Sequence, residues 1–351
     1  MKADNKQYNV ALDVYRILFT TLILLHHFRS YSEVMPYGGG YMATDFFFML
    51  SGYLMFGSFK RYDIEKASSK LKASIQYLIK RYKRLLIPLI SCNICLFVLS
   101  YITIEYRLPC GIFGFIKENL MIEVLTCDIA ERFNPSMWYL GTLLLATIIC
   151  FILIWLSKFD SKIIGLARVL ELVIVISYLY LIYSNGNGNI YPQYATIFDW
   201  RSILRGISGM ATGIVIASVA VGRKRENIAN LVVLSVLGIA FLYLLGWKNG
   251  YSRFDILIYI LIAIGIIAGK NSISLKQGAF VKILQVIGKA SYFAFIIHYP
   301  IIRIINYYRY FDGLDWKIYS ILFLLCIWIL AILCQEIALA LNKLKRRTSN
   351  V

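Results

Sequence analysis

Residues 12–31 read LDVYRILFTTLILLHHFRSY. The stretch is apolar and long enough to cross a bilayer, which takes about 20 residues at a rise of about 1.5 Å each. Yet it carries Arg16 near one end and His26–His27 near the other, two of the three histidines in the chain. Ionisable groups inside a membrane are costly and normally face the protein interior or a polar cavity. Arg16 and His27 lie eleven residues apart. At about 100° per residue they project from nearly the same helix face, roughly 16–17 Å apart along the axis. A cavity with a cation at its inner end and an imidazole at its outer end accounts for that shared face. So does a pair of interfacial residues, Arg16 snorkelling to the headgroups and His27 marking the opposite interface. His26 points some 80° away and need not share the site. Asp13, three residues before Arg16, is its expected intrahelical partner.

The rest of the chain is of the same kind. Of its 351 residues 59% are hydrophobic and only 16% charged, with a mean hydropathy of +0.67; about 25% charge is usual in a soluble domain. The expected architecture is all-α: a polytopic membrane protein with about ten transmembrane helices. They fall near 10–29, 41–58, 85–104, 137–157, 163–184, 203–221, 227–246, 254–269, 288–306 and 318–342. A net charge of +18 would suggest nucleic acid in a soluble protein, but its placement argues otherwise. With the N-terminus in the cytoplasm, and with Arg29 and Lys289 at span ends counted with the segments they adjoin, 24 of the 37 Lys and Arg fall on that side and 9 opposite, while Arg16, Arg168, Arg205 and Arg303 lie inside spans. That asymmetry follows the positive-inside rule and predicts cytoplasmic N- and C-termini. The basic excess then faces anionic lipid headgroups or anionic cytosolic ligands, and no nucleic-acid partner is expected.

One membrane domain over 1–351 is expected, with no cleavable signal peptide and no appended soluble domain. The stretch Ala67–Arg84 reads as an interfacial amphipathic helix ahead of the third span. CGIFGFIKENLMIEVLTC (110–127) is expected to hold a short helix on the outer surface. Cys110 and Cys127 share that loop and are placed to pair in an oxidising compartment. No Cys/His spacing suits a metal, so none is expected. No internal repeat is evident, which weighs against an inverted-repeat transporter.

Other residues stand out by chemistry. Asp45 is an acid in an apolar span, free to orient His27 or to pair with Arg16. Ser51-Gly52 is a small step where a helix or a ligand packs closely. Arg81 and Arg84, one turn apart before the third span, are placed to grip phosphates from one side or to face lipid as a stop-transfer cluster. Trp138 and Tyr139 read as interface-belt aromatics or as sugar-stacking residues. His298 reads as a hydrogen-bonded structural histidine or as part of an acceptor site. Arg168 and Glu171 are spaced as an intrahelical ion pair.

Five stretches taken in order resemble the acyltransferase 3 family of bacterial integral-membrane acyltransferases. They are LDVYR with His27 after ten further residues, GGYMATDFFFMLSGYLM (39–55), KRYKRLLIP (80–88), SMWYLGTLLL (136–145) and IGKASYFAFIIHYPII (287–302). The resemblance runs from end to end, with mild departures at Val14, where the family usually has Gly, and at Thr44, where it usually has Val. It implies acyl transfer, most often acetyl, from cytoplasmic acetyl-CoA to a hydroxyl of a cell-surface polysaccharide or a lipid-linked sugar, in the bacterial cytoplasmic membrane. The family's catalytic histidine falls on His27 and its arginine on Arg16. Its second-span acid and Ser-Gly step fall on Asp45, Ser51 and Gly52, and its basic pair on Arg81 and Arg84. The partners implied are membrane lipid and the glycan acceptor. Two other classes remain open: a transporter or flippase for an envelope glycan, which needs no CoA-phosphate site, and a glycan polymerase, which would use charges in a large outer loop. That loop holds Arg107, Lys117, Glu118, Glu123, Asp128, Glu131 and Arg132.

Overall fold

Helices carry nearly all of the described chain, as they must where no water is present to satisfy backbone amides and carbonyls. The computed structural model describes residues 7–29, 36–61, 70–108, 111–123, 132–158, 163–185, 200–218, 238–247, 254–269, 274–276, 278–308, 313 and 315–348. The helices are α1 (Ala11–Phe28), α2 (Ala43–Arg61), α3 (Lys70–Ile104), α4 (Gly111–Asn119), α5 (Trp138–Lys158), α6 (Ile163–Asn185) and α7 (Trp200–Ser218). They continue with α8, described over 238–246, then α9 (Asp255–Gly269), α10 (Ala279–Tyr307) and α11 (Trp316–Thr348).

Each of the ten expected spans coincides at least in part with one of these helices. Among the described residues five are long and apolar enough to cross a membrane: Ala11–Phe28, Leu71–Ile104, Pro135–Ile154, Ala279–Tyr307 and Trp316–Leu341. Packing explains why α2 and α7 fall outside that set. They press against each other so closely that a Cβ on Gly52 would stand 2.0 Å from the Met210 carbonyl oxygen, and one on Gly213 1.9 Å from that of Met49. Glycine at both crossings lets the backbones touch. Helices clad in protein need not be as apolar as helices clad in lipid, and α2 and α7 carry the buried charges Asp45 and Arg205. By contrast only 28% of the apolar window of α3 and 22% of that of α11 is buried within the protein.

One local expectation is corrected, and one element is found that the sequence did not announce. The interfacial stretch 67–84 is not a separate helix: from Lys70 it is continuous with the third span in the 35-residue α3. Pro88 lies inside that helix without ending it. It removes the N–H that the Arg84 carbonyl would accept, and one residue further on the Tyr292 hydroxyl of α10 donates to the Leu85 carbonyl at 2.7 Å. The second finding is a short antiparallel ladder, β1 (Gln7–Asn9) with β2 (Ser274–Lys276), which pairs Tyr8 with Leu275. It ties the entrance of α1 to the α9–α10 connection, so both lie at the same end of the bundle. Asn9 extends the tie, donating from Nδ2 to the Gly269 carbonyl at 2.7 Å and accepting the Ala11 N–H at 3.0 Å. The short helix expected in the outer loop is α4, while Cys110 and Cys127 lie outside the described residues.

Candidate active site

The seam between α1 and α10 carries most of the unusual chemistry. Near its start, Gly288 of α10 faces Asp13 of α1, and a Cβ there would stand 2.9 Å from the Asp13 Cβ. The closeness seats Asp13 in protein, where it accepts Nη1 of Arg16 at 2.8 Å and the Tyr8 hydroxyl at 2.8 Å. The expected Asp13–Arg16 pair is therefore present, and the Arg16 side chain remains 25% exposed.

About three turns further along the seam stands His27. Its ring lies 5.1 Å from that of His298, with planes tilted by 36°, and 5.7 Å from Tyr299. Two of the three histidines, separated by 271 positions, are thus neighbours. His26 turns away: its Nδ1 lies 3.3 Å from the Tyr37 carbonyl oxygen. His298 is buried, with Nδ1 at 2.7 Å from the Phe295 carbonyl oxygen.

Pro300 explains how this turn is held. It removes the N–H that the Ile296 carbonyl would accept. Asn134 Nδ2 fills the vacancy at 2.7 Å, and Ser136 donates to Asn134 Oδ1 at 2.6 Å. Asn134 is placed in turn by Glu118 of α4, whose carboxylate accepts the backbone N–H groups of Phe133 at 2.9 Å and Asn134 at 3.0 Å. Arg303, one turn beyond Pro300, donates to the Phe133 carbonyl at 3.0 Å and lies 4.3 Å from the Tyr106 ring centre. Burial pushes the Glu118 carboxyl up to about 8, against the pull of the Asn134 and Phe133 N–H groups and of Arg132 and Arg303. Burial likewise pushes Glu123 up to about 8, opposed first by Arg132. Asn134, Ser136, Glu118 and Arg303 were not legible as a set, because they meet only across a proline-freed carbonyl.

Asp45 corrects the sequence-based expectation. It neither orients His27 nor pairs with Arg16. Its carboxylate accepts Nε of Arg205 at 3.0 Å and Nη2 at 2.5 Å, both side chains being fully buried. Arg205 also donates to the Tyr41 carbonyl at 3.0 Å, and the Tyr41 hydroxyl donates to Asp255. Gly52 sits at the α2–α7 crossing. Its neighbour Ser51 hydrogen-bonds the buried Tyr139, which lies within electrostatic reach of Arg81. Tyr139 packs on Phe48 at 4.6 Å and Phe295 at 5.4 Å, so it is no interface-belt residue. Trp138 is half-buried beside it. Arg81 is half-buried and Arg84 exposed, and Arg81 also reaches Cys150 of α5 electrostatically. The Arg168 side chain lies outside the described residues.

The chain belongs to the acyltransferase 3 family, whose model, described as an acyltransferase domain, matches residues 9–334 of 351. It is a membrane protein of that family. No curated protein and no solved structure matches the chain.

Proposed function

We propose that the protein transfers an acyl group, most readily acetyl, from cytoplasmic acyl-CoA to a hydroxyl of a cell-surface polysaccharide or other envelope glycan, in the bacterial cytoplasmic membrane. The observation that carries the reading is the His27 imidazole set against His298 and Tyr299 on a helix that bears Arg16 about three turns earlier, in a chain of this family. In the proposed reaction the acceptor hydroxyl oxygen attacks the thioester carbonyl while His27 takes its proton. A C–O bond forms and the C–S bond breaks. The imidazolium then returns the proton to the departing thiolate. Arg16, Arg81 and Arg84 are proposed to attract the CoA phosphates and the thioester arm, since guanidinium groups bind phosphate with charge-assisted hydrogen bonds. Half-buried Arg81, within electrostatic reach of Tyr139, supports a ligand-facing role better than does exposed Arg84.

The test uses wild type and His27→Ala in nanodiscs with labelled acetyl-CoA, following binding and slow thioester hydrolysis. Wild type is expected to bind and hydrolyse, and the variant to bind without hydrolysing. If neither binds acetyl-CoA or a longer acyl-CoA, the enzyme reading falls and the transporter reading takes its place.

A further inference from the structure

The tautomer of His298 can be deduced from its surroundings. Its Nδ1 lies 2.7 Å from the Phe295 carbonyl oxygen. A carbonyl only accepts, so Nδ1 carries the proton, and in the neutral ring Nε2 is left with a lone pair. That Nε2 is buried and has no hydrogen-bond partner among the described residues. Buried acceptors are rarely left unsatisfied, and each that is calls for an explanation, a catalytic role among them. The ring beside it belongs to His27. The acid that the sequence offered for that place, Asp45, is committed to Arg205. The ring of His298 is held by its bond to Phe295 within the turn that Pro300 opens and Asn134 closes.

We infer that His298 is the positioning residue for His27, its Nε2 accepting the His27 N–H once the His27 ring turns toward it. The chain of polarity then runs from the Phe295 carbonyl through the His298 imidazole to the His27 imidazole, and His27 keeps the lone pair of its other ring nitrogen for the acceptor hydroxyl. The chemistry rests on the acyl-transfer reading above; the pairing itself does not. As the hydroxyl proton moves to His27, the imidazolium that forms donates to a neutral ring rather than to a carboxylate. No proton leaves His27 toward His298, and the reaction still ends with the proton on the departing thiolate.

Two substitutions separate positioning from architecture. His298→Asn keeps a donor for the Phe295 carbonyl but removes the Nε2 acceptor. His298→Gln keeps an acceptor near the Nε2 position and gives up the bond to Phe295. With 15N-histidine labelling only three residues report, and two-bond nitrogen–proton correlations read each tautomer in nanodiscs without any substrate. His298 is expected with its proton on Nδ1. His27 is expected with the same tautomer population in wild type and His298→Gln, and with a shifted one in His298→Asn. In acetyl-CoA turnover, His298→Asn is expected to lower kcat on the order of 10²-fold with KM for acetyl-CoA unchanged, and His298→Gln to retain more activity than His298→Asn. A proton on His298 Nε2, an unchanged His27 tautomer population in His298→Asn, or better rescue by Asn than by Gln overturns the inference. If the tautomers behave as expected while no form turns over any acyl-CoA, the histidine pairing stands and the acyl-transfer reading falls.

Discussion

The α2–α7 seam and the α1–α10 seam both bury polar groups between helices, and they treat them in opposite ways. Between α2 and α7 the carboxylate of Asp45 is matched by Nε and Nη2 of Arg205, with the Tyr41 carbonyl as a further acceptor. Glycines on both helices bring the backbones into contact. Between α1 and α10 the His298 Nε2 has no hydrogen-bond partner among the described residues and lies in a ring beside a second imidazole. A buried charge that is paired and enclosed is a structural device, whereas a buried lone pair without a partner is available for chemistry. Charge inside a span is therefore not enough to mark a catalytic residue; what decides is whether the neighbouring helix has already satisfied it.

Breaking the α1–α10 seam at its reactive end should have the largest effect. His27→Ala is expected to lower acyl transfer about 10³-fold or more, within the range that a positioned general base supplies, while the purified protein stays monodisperse. Wild-type turnover in that variant would remove His27 from the mechanism.

Breaking the α2–α7 seam should appear in stability first. Asp45→Asn or Arg205→Met strands the opposite charge, and the expected loss is about 3–5 kcal/mol, read as the unfolding midpoint in detergent. The double change Asp45→Leu with Arg205→Met should recover most of it, since an apolar pair of similar volume often replaces a buried ion pair at little cost. If Asp45→Asn keeps its midpoint but loses turnover, Asp45 belongs to the chemistry and the contrast between the seams fails. Gly213→Ala is a milder probe of the same seam. Its Cβ would meet a backbone oxygen that cannot rotate away, and overpacking of this kind costs about 1–3 kcal/mol.

The basic pair on α3 sharpens the contrast from the donor side. Arg81→Ala with Arg84→Ala should weaken acetyl-CoA binding about tenfold, or about 1.4 kcal/mol, with the unfolding midpoint unchanged. Arg81→Ala alone should carry most of the loss, because Arg81 is the more enclosed of the two. Unchanged affinity would return both residues to the lipid headgroups.

The smallest effect is a pH dependence at the α4 anchor. Burial raises the carboxyls of Glu118 and Glu123 above their ordinary value of 4.5, to about 8. The folded segment thus holds their protons more tightly than the unfolded chain does. Their contribution to stability is fully present below about pH 4.5 and is lost as the pH rises through about 8. Protection of the Phe133 and Asn134 amides from hydrogen exchange, corrected for intrinsic rates, should fall between pH 5 and 9. Glu118→Gln should flatten that trend, and an unchanged slope in the variant would assign it elsewhere.

Much of this was legible in the chain itself. The apolar runs of α1, α5 and α11 announce helices by length and composition. The interval from Arg16 to His27 places both on one helix face, because helical periodicity is a local property. The Asp13–Arg16 pair follows from spacing alone and is present at 2.8 Å. The pairing of Asp45 was not legible, since its partner Arg205 lies 160 residues away. Nor was the fusion of residues 70–84 with the third span. A proline usually marks a boundary, and Pro88 does not, because Tyr292 reaches across from α10 to a carbonyl one residue from the one it frees. The turn around Ile296 has the same character: Pro300 in the sequence says only that a carbonyl is freed, and the fold supplies Asn134 to take it.

The sequence by itself determined the class of structure and the presence of reactive groups in spans, because bilayer length, helical period and charge asymmetry act over tens of residues. Only the tertiary structure decided which of those groups are spent. Satisfaction of a buried polar atom depends on what a distant helix brings to it, and here α7 neutralises Asp45 while α10 sets a second histidine, still carrying a lone pair, beside His27.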